Sequence, residues 1–150
     1  MKRLKKFLFF LVTLVALWLI SALFINGNFE VVRTVEISKS NDEVFDYIKY
    51  LKNQSEYSTW ASMDPDMERN FEGTDGEVGF ISGWNSNHEN VGSGEQEIIG
   101  IKEGTQIDYE LRFVKPEERT AKAYMSTFEI DDSKTKVNWG YKGKIPLRPK

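Results

Sequence analysis

The sequence of 150 residues contains no cysteine, a single histidine and four prolines. Without cysteine, disulfide bonds and thiolate chemistry are excluded, and His88 alone is too few imidazoles for a multi-histidine zinc site. The P-loop, Rossmann and Gly-x-Ser-x-Gly signatures are missing as well. We therefore predict no metal, no cofactor and no assigned catalytic residue, and the length predicts one folded domain besides any targeting segment.

Positive charge is scarce after the first six residues. Lys2, Arg3, Lys5 and Lys6 leave 16 basic against 23 acidic side chains in residues 7–150, a net charge of −7. A protein that binds nucleic acid needs a basic face that displaces phosphate counterions. The acidic balance of this chain argues against a nucleic-acid partner.

Residues 7–25 (FLFFLVTLVALWLISALFI) form a run of 19 residues without charge. A helix of that length spans roughly 28 Å, close to the hydrocarbon core of a bilayer, and the preceding cations favour the cytoplasmic side. A cleaved signal peptide is the alternative, although its apolar region is usually shorter. We predict a basic stub and membrane anchor over 1–27, with the N-terminus cytoplasmic. The domain of 28–150 would lie on the outer side, periplasmic or extracellular.

A strand and a capped helix are predicted next. Residues 29–37 alternate between apolar and polar positions, as a strand does. Ser40 followed three residues later by Glu43 is a capping box, and apolar residues at helical spacing predict a helix over 41–51. A second short helical piece is predicted over 53–58.

From residue 66 the apolar period changes to two, which is typical of strands. Glu103-Gly104, Pro116-Glu117 and Asp131-Asp132-Ser133 have the composition of turns. The pattern predicts strands at 66–72, 77–85, 92–102, 105–113, 120–130 and 135–143. Successive strands with short connections form an antiparallel meander, and an early helix covers one of its faces, so the predicted class is α+β.

Several short motifs follow in a characteristic order: Glu43-Val44-Phe45, Tyr57-x-x-Trp60, Asp64-Pro65-Asp66-Met67, Gly76-x-x-Gly79-Phe80, Gly83-Trp84, Val91-Gly92-Ser93-Gly94-Glu95, Phe128-Glu129-Ile130 and Thr135-Lys136-Val137-Asn138-Trp139. Over residues 29–145 this order resembles the polyketide cyclase/dehydrase-like branch of the START-related, or SRPBCC, superfamily. In particular, it resembles bacterial members with an N-terminal membrane segment.

The resemblance implies a helix-grip (START-like) fold, in which a bent antiparallel sheet with short N-terminal helices wraps a long C-terminal helix. A cavity for apolar ligands lies between the sheet and that helix. The helix would begin near 145–147, whereas the sequence ends at Lys150. We therefore expect a C-terminally incomplete domain with a large apolar area on one face of its sheet, which soluble proteins rarely expose.

Aromatic residues recur on the predicted strands at alternating positions. We expect four interior-facing sets, one on each of four strands: Val78, Phe80 and Trp84; Ile107, Tyr109, Leu111 and Phe113; Tyr124, Phe128 and Ile130; Val137, Trp139 and Tyr141. One interpretation is a cavity whose Tyr and Trp polar atoms orient a ligand, and the other is an ordinary core. The predicted ligand-binding residues are Phe80, Trp84, Tyr109, Phe113, Tyr124 and Trp139.

Acid–base or cation-binding chemistry is less favoured. Asp64 and Asp66 flank a proline and fit a turn, while Glu43 already caps a helix. Asp108 and Glu110 alternate with the apolar residues of their strand and are expected to face solvent. His88 lies in the polar run Asn85–Asn90, which predicts an exposed turn rather than a catalytic base.

Three functions remain open from the sequence. The favoured one is a membrane-anchored, non-enzymatic domain that binds a small apolar or amphipathic molecule, such as a lipid. The second is a cyclase- or dehydratase-like enzyme that uses cavity polar groups such as Tyr109 or Tyr124. The third is a non-catalytic interaction or stress protein of the cell envelope.

Overall fold

The computed structural model describes residues 2–22 and 27–144, in two units that are considered separately. The first unit contains helix α1 (Lys2–Ala22). Among the described residues, no helix combines the length and the hydropathy that a transmembrane span requires. The last part of the predicted span, residues 23–25, lies outside the described residues, as does the predicted start of a last helix at 145–147.

The second unit, Phe29–Lys144, contains the predicted α+β domain. Its helices are α2 (Asn41–Ile48), α3 (Gln54–Tyr57) and α4 (Thr59–Met63), with a 3-10 turn at Leu51–Asn53. Its strands are β1 (Asn28–Ile37), β2 (Glu68–Glu72), β3 (Ile81–Asn85), β4 (Ser93–Lys102), β5 (Gln106–Lys115), β6 (Arg119–Asp131) and β7 (Lys134–Lys144). The strands form one bent sheet in the order β1-β7-β6-β5-β4-β3-β2. Strands β2 to β7 form the predicted antiparallel meander.

The predicted capping box begins α2. The Ser40 side chain accepts from the Glu43 backbone N–H, and the Glu43 carboxylate accepts from the Ser40 backbone N–H. The helix ends at Ile48 rather than at residue 51, because the Asp75 carboxylate accepts the backbone N–H of Leu51 and draws the chain into a separate turn. One face of α2 packs on the sheet and buries Val44, Phe45 and Ile48.

The second predicted helical piece, 53–58, is two short helices. Ser58 ends α3 in an extended conformation and caps α4 by accepting from the Ala61 backbone N–H. The helical segment therefore continues to Met63, five residues beyond the prediction.

Strand β3 is shorter than predicted at its start. Gly76 and Gly79 have positive φ angles of 84° and 93°, which residues with a Cβ rarely adopt, so residues 77–80 turn instead of extending. Val78 is exposed as a result, and its predicted place in the interior with Phe80 and Trp84 is wrong. Phe80 nevertheless lies beside β4, because its carbonyl accepts a hydrogen bond from the Ile98 N–H.

The side of the sheet that receives α2 is called the inner face, and the opposite side the outer face. The inner face carries the core, which consists of Val44, Phe45, Ile48, Leu51, Phe80, Ile98, Ile107, Tyr109, Leu111, Ala121, Ala123, Met125 and Val137. Directly opposed residues in an antiparallel pair share a face. The registers of β2 to β7 therefore assign the side chains of these strands to the inner or the outer face.

Candidate functional site

Tyr109 lies at the centre of the inner face. It is opposite Ile98 on one side and Ala123 on the other, and its side chain is fully buried. Its hydroxyl has no hydrogen-bond partner among the described residues. A buried polar group without a partner costs about 1–3 kcal/mol, so the Tyr109 hydroxyl is an unsatisfied polar group at the centre of the inner face.

Burial raises the pKa of the Tyr109 hydroxyl well above its usual value, and the neighbouring Tyr57 raises it further. Burial also raises the pKa of Tyr57, whose hydroxyl lies 3.9 Å from the Met125 sulfur. Both hydroxyls stay protonated at neutral pH. The centre of the inner face therefore offers neutral hydrogen-bond donors in apolar surroundings.

Trp84 and Phe113 form an aromatic pair on the inner face, toward the ends of β3 and β5. Their rings meet edge-on with centroids 5.9 Å apart. The indole reaches Phe113 across Gly94, where a Cβ would lie 2.8 Å from the Trp84 ring. The Trp84 Nε1–H donates to the Val91 carbonyl at 3.3 Å, which fixes the indole. Both side chains remain partly accessible, so the pair is a rigid apolar surface.

A second aromatic group lies on β7. Trp139 and Tyr141 stack at 6.1 Å, Trp60 of α4 approaches Trp139 at 6.2 Å, and Phe29 of β1 approaches Tyr141 at 5.9 Å. Trp139 was among the predicted ligand-binding residues, whereas Trp60 was not. In the sequence Trp60 belongs to the Tyr57-x-x-Trp60 motif but lies beyond the predicted helical segment, which ends at residue 58. Its helix α4 extends to Met63.

Between the two aromatic groups the inner face carries small side chains. Ala121 is opposite Leu111, and Ala123 is opposite both Tyr109 and Tyr141. These alanines are small, so the larger side chains opposite them on β5 and β7 extend over them. Both alanines are buried, at 5% and 4% exposed. This strip of small side chains, with aromatic side chains on both sides, is called the trough.

The predicted interior position of Tyr124 is wrong. Tyr124 is opposite Asp108 and Gly140, on the outer face, and its hydroxyl donates to Glu30 at 3.1 Å. Phe128 and Ile130, which were placed in the interior with it, are also exposed. The inner face of β6 carries the smaller residues Ala121, Ala123 and Met125, whereas the larger Tyr124 between them faces outward.

The other five predicted ligand-binding residues lie on the inner face. Phe80 and Tyr109 are buried in the core, and Phe80 stacks on Phe71 at 6.0 Å. Trp84, Phe113 and Trp139 are only partly buried and pack at the margin of the core. The deep members can shape a site, whereas the marginal members can contact a ligand directly.

His88 is exposed in the connection between β3 and β4, as predicted. Its carbonyl accepts from the N–H groups of Val91 and Gly92, and its Nδ1 accepts from the Asn90 N–H at 3.2 Å. The Asp64 carboxylate accepts from the Ser86 hydroxyl and ties the turn to the segment after α4. His88 therefore helps to form a turn, and its imidazole is turned toward the loop's own backbone.

No protein-family model matches the sequence, and no curated protein matches it either. Solved structures match it in fold. A norcoclaurine synthase point mutant of Thalictrum flavum, in complex with a transition-state analogue, has a TM-score of 0.62 at 9% identity over 81% of this chain and 79% of its own. A protein of Nitrosospira multiformis has a TM-score of 0.57 at 16% identity over 78% and 80%. Major latex-like protein 151 of Panax ginseng has 0.55 at 13% over 79% and 80%.

These similarities establish the architecture. The bent seven-stranded antiparallel sheet with its short helices is the architecture of these solved structures, which is the kind of sheet that the resemblance implied. One of these neighbours is an enzyme by name, so the fold alone does not separate binding from catalysis.

Proposed function

We propose that the domain binds a small apolar or amphipathic molecule on the inner face of its sheet, as the lipid-binding interpretation of the sequence predicted. The observation that carries the proposal is the trough, where partly accessible aromatic rings border a floor of alanines. Ligand sites are concave and mostly apolar, with few polar groups that fix orientation.

Titration of the full chain with N-phenyl-1-naphthylamine, an uncharged probe that fluoresces in apolar surroundings, tests this proposal. Trp84→Ala and Trp139→Ala remove rings on opposite sides of the trough, and each should raise the Kd about tenfold, since an aromatic contact contributes roughly 1–1.5 kcal/mol. Phe128→Ala, on the outer face, is the control and should leave the Kd unchanged. Helix α1 is the same in every variant, so its own uptake of probe cancels.

The outcome that contradicts the proposal is a Kd that Phe128→Ala raises as much as Trp84→Ala does. Probe uptake would then be a property of any exposed ring. An absence of any binding to the wild-type chain would contradict it as well.

A second candidate function is catalysis, and the neutral, buried Tyr109 hydroxyl favours it. A phenol held away from water can act as a general acid, and one structural neighbour is a norcoclaurine synthase, which has also been solved in complex with dopamine and hydroxybenzaldehyde. An assay for condensation of dopamine with an aldehyde, in which water is released, tests this role. Tyr109→Phe should abolish product formation while probe binding persists. Equal product from the wild type and Tyr109→Phe would exclude this role of Tyr109.

The narrower family placement, the polyketide cyclase/dehydrase-like branch with a membrane segment, also remains a proposal. It is supported by the charge-free run 7–25 and its preceding cations, and by exposed apolar side chains along α1 such as Phe9 and Leu17. An anchor would hold the domain at the bilayer, where apolar ligands concentrate. Leu11→Arg combined with Val15→Arg should release the chain from sedimented membranes, whereas Leu11→Ala with Val15→Ala should not. Release of both, or of neither, would contradict the anchor.

A further inference from the structure

Two arginines border the Trp84–Phe113 pair on the inner face. Arg119 is opposite Phe113, and its guanidinium carbon lies 4.5 Å from the centroid of that ring. Arg69 is opposite Trp84 on the other side of the pair. Register and ring contacts thus place both arginines on the same face as the trough.

Neither arginine forms an ion pair with any carboxylate in the part of the chain that the structure describes. Nearby carboxylates have other roles: Asp64 accepts from Ser86, and Glu68 accepts from Asn85 at 3.0 Å. Glu118, which directly precedes β6, is exposed and forms no described ion pair with Arg119. The two guanidiniums are thus free to bind an anion.

The inner face has a one-sided distribution of charge. Among the described strand residues, its single carboxylate is Glu129, at the far end of β6 and roughly 30 Å from Arg119 at the rise of a strand. Arg33 adds a third cation on β1, because it alternates in phase with Phe29 and Ile37, which contact inner-face residues. The inner face is therefore positively charged, although the domain as a whole has a negative net charge.

The geometry points to an amphipathic anion as the ligand of the trough, with its carboxylate, sulfonate or phosphate group paired to Arg119 and bordered by Arg69. Its apolar body would lie along the Trp84–Phe113 pair and the alanines of β6. This inference rests on the proposed function and adds the charge of the ligand to it. Guanidinium groups suit oxyanions because their N–H donors match the spacing of two oxygens.

Two probes with the same aromatic body test the charge. The sulfonate 1-anilinonaphthalene-8-sulfonate and the uncharged N-phenyl-1-naphthylamine differ chiefly in the anionic group. The wild-type full chain should bind the sulfonate about tenfold more tightly, the usual scale of one charge-assisted hydrogen bond. Arg119→Gln should remove this preference and leave the uncharged probe within twofold, and Arg69→Gln should reduce the preference less.

Lys122→Gln is the matched control, because Lys122 is opposite Glu110 on the outer face and its loss changes the net charge of the chain equally. It should preserve the preference for the sulfonate. Octanoate and octanol extend the test to a flexible chain: octanoate should displace the uncharged probe at lower concentration from the wild type, and the two should become equivalent in Arg119→Gln.

The outcomes separate the inference from the function on which it rests. If the uncharged probe binds and depends on Trp84, but Arg119→Gln and Lys122→Gln affect the sulfonate equally, the anion site is refuted and the apolar site stands. If neither probe binds, the proposed function fails too. Arg119→Lys keeps the charge and should retain most of the preference, which guards against an effect of substitution on folding.

Discussion

On the outer face of the sheet Arg112 binds three carboxylates, whereas on the inner face Arg119, on the neighbouring strand, binds none among the described residues. Arg112 lies 2.6 Å from Glu97, 3.1 Å from Glu110 and 3.2 Å from Glu95. Its hydrogen bond to Glu97, with those to Glu110 and Glu95, raises the pKa of the guanidinium despite partial burial. One sheet thus uses an arginine to stabilise its structure on the outer face and leaves another arginine available on the inner face.

The inner face should dominate stability, and two isoleucines test this. Ile107 is 0% exposed on the inner face, whereas Ile99, in a β-bulge of β4, is 39% exposed. Ile107→Ala should lower the free energy of unfolding by about 3 kcal/mol, since the cavity stays unfilled. Ile99→Ala should lower it by less than about 1 kcal/mol. Urea denaturation followed by tryptophan fluorescence measures both, and equal losses would contradict the assignment of the faces.

Two glycines, one on each face, test whether the inner face is packed more tightly than the outer face. A Cβ on Gly94 would lie 2.5 Å from the Arg112 carbonyl oxygen and 2.8 Å from the Trp84 ring, and the backbone oxygen has no rotamer to change. The atoms nearest to a Cβ on Gly140 all belong to the Tyr124 side chain, which is partly exposed on the outer face and can turn away. Gly94→Ala should cost about 2–3 kcal/mol and Gly140→Ala about 1 kcal/mol.

Gly94→Ala should also weaken binding of the uncharged naphthylamine probe, because it displaces Trp84. Gly140→Ala should bind the probe like the wild type. A reversed order, in stability or in binding, would show that the outer face is the more tightly packed one.

The two arginines give the third prediction. Arg112→Gln leaves three carboxylates together without their cation and should lower the free energy of unfolding by about 1–2 kcal/mol, between the usual values for exposed and buried pairs. Arg119→Gln removes no ion pair but removes the contact of the guanidinium with the Phe113 ring, so it should lower the free energy of unfolding by only about 0.5 kcal/mol. Added salt should reduce the Arg112 effect, since it screens the repulsion among Glu95, Glu97 and Glu110. A similar loss of unfolding free energy in both variants would contradict the view that Arg119 forms no ion pair.

Much of the fold follows from local patterns in the sequence. The Ser40–Glu43 capping box and the turns at Glu103-Gly104 and at 131–133 are determined by neighbouring residues, and each appears as predicted. Strand β5 is the clearest case, since its inner residues, Ile107 to Phe113, alternate without interruption.

The candidate site was harder to predict, because it depends on which face of each strand is inner. Alternation alone assigns two faces to β6 without ordering them, and only the register with β5 places Ala123 opposite Tyr109. A large residue on one strand is accommodated by a small one on the next, and that pairing was not visible before the register was known. The sequence did not predict Arg69 and Arg119 as site residues for the same reason. Their role depends on the face of the strand on which they lie, and only the register assigns that face.

Two tyrosines give the smallest expected effect. Tyr124→Phe removes the hydrogen bond to Glu30 on the outer face and should lower the free energy of unfolding by about 0.5 kcal/mol. Tyr109→Phe removes a buried hydroxyl that has no described partner, so the ligand-free chain should be unchanged or more stable by about 1 kcal/mol. A clear loss of stability in Tyr109→Phe would show that this hydroxyl is already satisfied.

Alkaline pH separates the two tyrosines further. Burial raises the pKa of Tyr109, so the folded state keeps its proton where the unfolded chain, with a pKa near 10, releases it. Stability is therefore complete below about pH 10 and falls as the pH rises above it. Tyr109→Phe should make this decline shallower in urea titrations between about pH 9 and 11, although Tyr57, whose pKa is also raised, still contributes. Tyr124→Phe should change the decline less, because its ring is only partly buried. If the stability of the two variants fell equally with pH, the burial of Tyr109 on the inner face would have no energetic consequence.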